Sequence, residues 1–164
     1  YPVDVLIYAT GFQWMATSTF NMITGENGQT LKEKWETEGT KTFLGLHSKG
    51  FPNLFIISGP QGGGGQFNFT RIIESHSDYV IWMLKTLRER GATKVDVETK
   101  AENEYAEHCK IADIKTRPLR DCISYYNGHG EGEPGSLAYY GGAQKWHEHR
   151  EEAQKTLKPY IFDE

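Results

Sequence analysis

Cysteine is scarce in this 164-residue sequence: only Cys109 and Cys122 are present. Two cysteines cannot build a disulfide scaffold, and their separation fits neither a zinc knuckle nor a redox pair, so both read as thiols in a reducing compartment. No apolar run reaches membrane-spanning length and no signal peptide precedes the domain, which argues against a membrane partner and points to the cytoplasm. A basic excess is missing too. The net charge of -4, with acidic and basic residues interspersed, leaves no electrostatic footprint for nucleic acid. There is no Gly-x-Ser-x-Gly elbow, since Ser58 stands before Gly59-Pro60 without that context, so nothing supports a hydrolase. The first residue is Tyr1 rather than Met, and the expectation is a processed or excised piece of a longer polypeptide.

The length suits one ordinary domain. Near its start, Val5-Leu6-Ile7-Tyr8 is an unbroken apolar, partly β-branched run, the pattern of a strand buried on both faces in a parallel sheet. Such a strand needs neighbours on both sides. Ala9-Thr10-Gly11 then offers small side chains at a turn where backbone or a flat ligand can approach. A short helical turn is expected around Leu31 to Trp35, and strand-like runs at Thr42 to Leu46 and Leu54 to Ser58. Pro52 cannot donate to a ladder, so the second run starts after it.

From Phe67 to Arg90 the period becomes helical, with Ile72, Ile73, His76, Tyr79, Val80, Met83, Leu84 and Leu87 at three- and four-residue spacing and Gly91 as the stop. Lys94 to Val97 reads as a short strand and Glu102 to Ala112 as a helix. Pro118 interrupts the chain beyond that helix, and residues 124–135 form a loop rich in glycine and aromatics. Leu137 to Tyr140 is expected as a strand, Gly141-Gly142 as a turn and Ala143 to Lys158 as a charged closing helix. No internal repeat or long linker divides the chain.

Gly62 to Gly65, between a strand-like run and a helix, invites a phosphate-loop reading, because backbone N–H groups and a helix dipole make an anion site. The spacing fails it: Phe67 occupies the third glycine position of Gly-x-Gly-x-x-Gly, and no Gly-Lys-Ser/Thr comes after it. A flexible loop beside a cofactor held by other segments remains. His147 and His149 alternate on a helix and so point to different faces, while Glu104 and His108 share a face but lack a third ligand, so no metal site is expected. His76, inside the apolar stripe, reads as a hydrogen-bonded, half-buried residue rather than a catalytic base. The tryptophans, Trp14, Trp35, Trp82 and Trp146, read as packing groups.

Several blocks in order carry a resemblance: Asp4 to Phe12, Leu31-Lys32-Glu33-Lys34-Trp35, Thr42-Phe43-Leu44-Gly45-Leu46, Gly50-Phe51-Pro52-Asn53-Leu54-Phe55 and Gly59-Pro60. The series continues with Ile73-Glu74 and His76, Ile111-Ala112-Asp113, Ser124-Tyr125-Tyr126-Asn127-Gly128 and Tyr139-Tyr140-Gly141-Gly142. Together they resemble the C-terminal part of a Baeyer–Villiger monooxygenase over nearly the whole chain.

The resemblance implies an α/β, Rossmann-like flavoprotein with two dinucleotide-binding domains, using FAD, NADPH and dioxygen to insert oxygen beside a ketone and give an ester or lactone. Residues 1–164 would then be the C-terminal part of the FAD-binding domain plus an extension lining the active site. It implies that Ala9-Thr10-Gly11 lies where the FAD-domain strand meets the domain link. The loop after Gly59 and Pro60, with the backbone N–H groups of Asn68 and Phe69, would approach the pyrimidine side of the flavin. Tyr125 falls where many relatives carry a Trp that touches the nicotinamide cofactor. Both Gly-x-Gly-x-x-Gly fingerprints, the Phe-x-Gly-x-x-x-His-x-x-x-Trp signature and the catalytic Arg are missing from this sequence. No catalytic residue is therefore assigned, and the chain alone is expected to be inactive, completed by an N-terminal half or by a subunit supplying it. Two other readings stay open: a non-catalytic interaction module, and a segment of a class B flavin monooxygenase that oxidises nitrogen or sulfur.

Overall fold

The computed structural model describes residues 1–10, 18–63, 68–116 and 137–163. Tyr125, the 124–135 loop, the Pro118 break and Gly11 with Phe12 and Trp14 lie outside them. Among the described residues the order is α1 (Ser18–Met22), α2 (Leu31–Glu38), α3 (Phe69–Arg90), β1 (Val95–Val97), α4 (Thr99–Thr116), α5 (Ala143–Thr156) and β2 (Tyr160–Phe162).

Local chemistry accounts for the helices. Thr30 caps α2 in a reciprocal box: its hydroxyl accepts the Glu33 N–H at 3.2 Å, and the Glu33 carboxylate accepts the Thr30 N–H at 2.7 Å. The Asn68 side chain accepts the Arg71 N–H to start α3, and Gly91 ends it in the left-handed conformation, donating to the Arg88 carbonyl. The expected stripe splits in two. Ile72, His76, Tyr79, Met83 and Leu87 are buried, whereas Ile73 and Leu84, together with Ile81, form a second apolar face open to solvent.

The strands depart from expectation. Val5 to Tyr8, expected as a buried strand, is in no strand and is exposed, with Ile7 at 83%. A strand exists only when its N–H and C=O groups find a ladder, and the described residues offer this run none. Thr42 to Leu46 is a tight turn: the Phe43 N–H donates to the His47 carbonyl, the His47 N–H donates back to Phe43, and Leu44 and Gly45 both have positive φ. Leu54 to Ser58 forms no strand either: the Leu54 N–H donates to the Phe51 carbonyl, the Ile56 N–H donates to the Leu46 carbonyl, and a turn begins at Ile57. A β-branched run reads alike in a strand and in a buried turn when its hydrogen bonds go to neighbours a few residues away. Leu137 to Tyr140 forms no strand either, although it exchanges two backbone bonds with the 61–63 turn, Gln61 N–H to Leu137 and Tyr139 N–H to Gly63.

β1 is found as expected, paired antiparallel with β2 in the register Val95 to Phe162, a partner the sequence did not signal. Asn53 holds β1 through its own N–H to the Val95 carbonyl and its side-chain oxygen from the Val95 N–H.

One core joins these pieces: Phe43, Leu44 and Leu46 of the tight turn, Tyr79 and Met83 of α3, Tyr105 of α4, Trp146 of α5 and Tyr160 of β2. A smaller cluster places Trp35 of α2 beside Leu31 and Phe51. Between the two clusters runs a buried ion pair. The Lys34 ammonium of α2 donates at 2.9 Å to the Glu102 carboxylate of α4, which also accepts from the Ser48 hydroxyl and the Lys49 N–H. That carboxylate is thus met on several sides, the condition under which a buried charge is tolerable.

Candidate functional site

The turns after Leu54 deliver Gly59 and Pro60 to the foot of α3. Glycine at 45, 59 and 62 is required by packing. A Cβ on Gly45 would sit 2.0 Å from the Gly62 Cα, and one on Gly59 would meet the Gly45 carbonyl oxygen at 2.7 Å. Gln61 locks this stack, its side-chain oxygen accepting the Thr42 N–H at 2.9 Å and its amide donating to the Thr40 carbonyl. The Pro60 carbonyl accepts from the Thr42 hydroxyl. Gly59 and Pro60 are half-buried, whereas Asn68 and Phe69 at the start of α3 are exposed, the Phe69 ring at 65%.

A cleft of about 140 Å³ opens between the first turns of α3 and the start of α5, walled by Gly62, Asn68, Ile72, His76, Trp146 and His147 among others. It brings Asn68 together with Gly62, while Gly59, Pro60 and Phe69 are not among its walls. The α5 wall was not anticipated, although Gly141-Gly142 before a helix was the available signal. His76 is hydrogen-bonded, as expected, but it is fully buried rather than half-buried. Its Nδ1 accepts the Ser58 N–H at 3.1 Å, its ring stacks on Trp146 with centroids 5.1 Å apart, and its Nε2 has no partner in hydrogen-bonding geometry. Burial pushes its pKa down to about 4, with the Gly62 backbone opposing weakly.

The two helix histidines diverge as the spacing requires: His147 faces this cleft, and His149 faces a second one of about 330 Å³ with Glu104, His108 and Glu152. There His108 and His149 lie 4.5 Å apart, ring centre to ring centre, and the His108 Nε2 meets the Tyr139 hydroxyl at 3.2 Å.

No family model matches the chain. It is 32% identical over 96% of its length to Baeyer-Villiger monooxygenase peniC of Penicillium patulum, and covers 28% of that protein. It is 35% identical over 87% of its length to neopentalenolactone D synthase of Streptomyces avermitilis, and covers 25% of it. The chain belongs with the Baeyer–Villiger monooxygenases. It spans about a quarter of the length of these curated relatives. Among solved structures, OTEMO in complex with FAD and NADP superposes with a TM-score of 0.77 at 26% identity, over 99% of this chain and 30% of that one. The mixture of helices and short strands described above is thus a segment of a fold in that family. Among the described residues, no helix is long and apolar enough to cross a membrane.

Proposed function

We propose that this chain forms one wall of an FAD- and NADPH-dependent Baeyer–Villiger monooxygenase that converts a ketone into an ester or lactone. The observation that carries the reading is the exposed start of α3. It is a 22-residue helix with no acidic residue in its first turn, and Phe69 holds its ring in solvent beside Asn68. A helix N-terminus without compensating acid favours negative charge, and an exposed aromatic ring beside it suits a flat heterocycle. These residues fit one edge of a flavin, while the contacts a dinucleotide needs for its ribose and pyrophosphate come from elsewhere.

Bound FAD, reduced by NADPH, supplies the oxygen-transfer chemistry. The contribution of this chain is placement. The Asn68 and Phe69 N–H groups stabilise negative charge on the flavin edge, and the Phe69 ring keeps water from it. Gly59 and Pro60, held by Thr42 and Gln61, fix the turn that precedes them. Tyr125 completes the contact on the nicotinamide side. Residues 1–164 finish the FAD-binding domain and line the ketone pocket, and a cytoplasmic location suits the free, buried Cys109 thiol.

The remainder of the flavoprotein packs on two apolar surfaces: Val5 to Tyr8, and the Ile73, Ile81 and Leu84 face of α3. The same surfaces would serve a non-catalytic module that completes another subunit. Flavin content separates the two readings. The longer polypeptide carrying this chain should show flavin absorbance and consume NADPH with at least one ketone of a panel, and the 164-residue chain alone should hold no flavin. A longer polypeptide without flavin and without ketone-dependent NADPH consumption would sink the proposal.

A further inference from the structure

We infer that His76 is the positioning residue of the turn at Gly59 and Pro60: its Nδ1, with Trp146 stacked behind the ring, holds the Ser58 N–H and so sets where that turn meets the flavin edge. The inference rests on the flavin reading, since the turn has a cofactor to meet only if that reading holds.

Packing alone gives no reason for a histidine at this place. Position 76 lies in the buried stripe of α3 between Ile72 and Tyr79 and is 0% exposed, where an aliphatic side chain would fill the space without burying polar atoms. The imidazole makes a hydrogen bond instead, its Nδ1 accepting the Ser58 N–H at 3.1 Å. A backbone N–H can only donate, so Nδ1 carries no proton. Burial keeps the ring neutral near pH 7, pushing its pKa down to about 4 against a weaker effect of the Gly62 backbone.

The turn needs holding. Ser58 and Gln61 both have positive φ, 56° and 63°, a conformation that a residue with a Cβ keeps only where its surroundings enforce it. Gln61 is held by Thr42 and Thr40, and Ser58 by His76. The ring itself has no room to swing. Trp146 of α5 stacks on it with the planes 27° apart, and Trp146 is fixed in turn by donating its indole N–H to the Leu44 carbonyl at 3.1 Å. Gly62 approaches so closely that a Cβ there would lie 2.7 Å from the His76 Cε1. The aim of Nδ1 is therefore set by α5 and by the glycine stack, and Ser58 passes it to Gly59 and Pro60. A displacement of about 1 Å at a reacting centre can slow a reaction about a hundredfold, which gives such a clamp its use.

Three variants of the longer, flavin-binding polypeptide test this. His76→Asn keeps an acceptor at the Nδ1 position, His76→Gln carries its amide oxygen toward the Nε2 position, and His76→Leu has no acceptor. His76→Asn should bind FAD within about threefold of the unsubstituted protein, and the other two about tenfold more weakly, the loss of one hydrogen bond. With flavin saturated, the visible band and the reduction midpoint should match the unsubstituted protein in His76→Asn and be displaced in the other two. Asn leaves the largest void, so packing alone predicts the reverse order, and that order would overturn the inference. So would His76→Leu with unaltered flavin. The unsubstituted protein gives a test that needs no variant to fold: ¹⁵N spectra should show Nδ1 without a proton and coupled through the hydrogen bond to the Ser58 amide, and a proton on Nδ1 would overturn the inference. Absence of flavin from the unsubstituted polypeptide would instead sink the flavin reading, and this inference with it.

Discussion

Residues 1–10 and the body built around α3 treat their apolar side chains in opposite ways. In the body, Tyr79, Met83, Trp146 and Tyr160 are buried, and several polar groups at depth find partners: the Tyr79 hydroxyl bridges the His47 imidazole and the Tyr160 hydroxyl, and Trp146 donates to the Leu44 carbonyl. At the start of the chain, Val5, Leu6, Ile7 and Tyr8 meet water with no ladder among the described residues. The body buries its apolar side chains against one another, whereas the opening run leaves its own in solvent. An apolar run with a strand's composition forms no strand where no ladder reaches its N–H and C=O groups.

The comparison breaks most sharply at the buried ion pair. Glu102→Ala leaves the Lys34 charge without its partner and should cost about 3–5 kcal/mol in a urea melt, while the Lys34→Met, Glu102→Leu double variant should recover most of it. If Glu102→Ala lost less than the double variant, the pair would not be what fastens α2 to α4. Gly45→Ala comes next. Its positive φ and the 2.0 Å approach of a Cβ to Gly62 predict a loss of about 2–4 kcal/mol, and that loss should spread to the α3–α5 cleft as a changed His76 signal.

Acid sharpens the same contrast. Burial pushes both His47 and His76 down to about 4, from 6.5 for a free ring, with Asp96 opposing slightly at His47 and the Gly62 backbone at His76. The unfolded chain takes up a proton on each near pH 6.5, and the folded chain takes it up only near pH 4. The stability they contribute is therefore complete above about pH 6.5 and falls as pH drops toward 4, by on the order of 3 kcal/mol per ring. His47→Gln should flatten part of that slope. A melt whose midpoint is level from pH 7 to 4.5 would contradict the burial of both rings. The smallest effect belongs to the opening run: Ile7→Asp should change the stability of the 164-residue chain by less than about 0.5 kcal/mol. In the longer polypeptide the same substitution should abolish flavin retention.

Period and punctuation made the helices legible. The 3.6-residue stripe from Ile72 to Leu87 and the Gly91 stop located α3, and Gly141-Gly142 marked the start of α5. What escaped were features set by tertiary approach. Thr42 to Leu46 carries a strand's composition, yet the close contact of Gly45 with Gly62 folds it into a turn. β2 has too few residues to show a period, and Lys34 with Glu102 joins two helices far apart in sequence. At the candidate site, the apolar period and the preceding glycines placed the foot of α3 at Phe67, two residues before its observed start, and the Asn68 cap was not foreseen. The α5 wall was not foreseen either, because Gly141-Gly142 signals that a helix starts there but not which cleft it will face.

Hydrogen exchange of the amides from Val3 to Thr10 tests the central claim most directly, measured in the 164-residue chain and in the longer polypeptide that binds flavin. The account predicts that these amides exchange as freely as an unfolded peptide in the chain alone, while those of α3 are protected, and that they become as protected as a central strand in the longer polypeptide. Protection in the chain alone, or free exchange in the longer polypeptide, would contradict it.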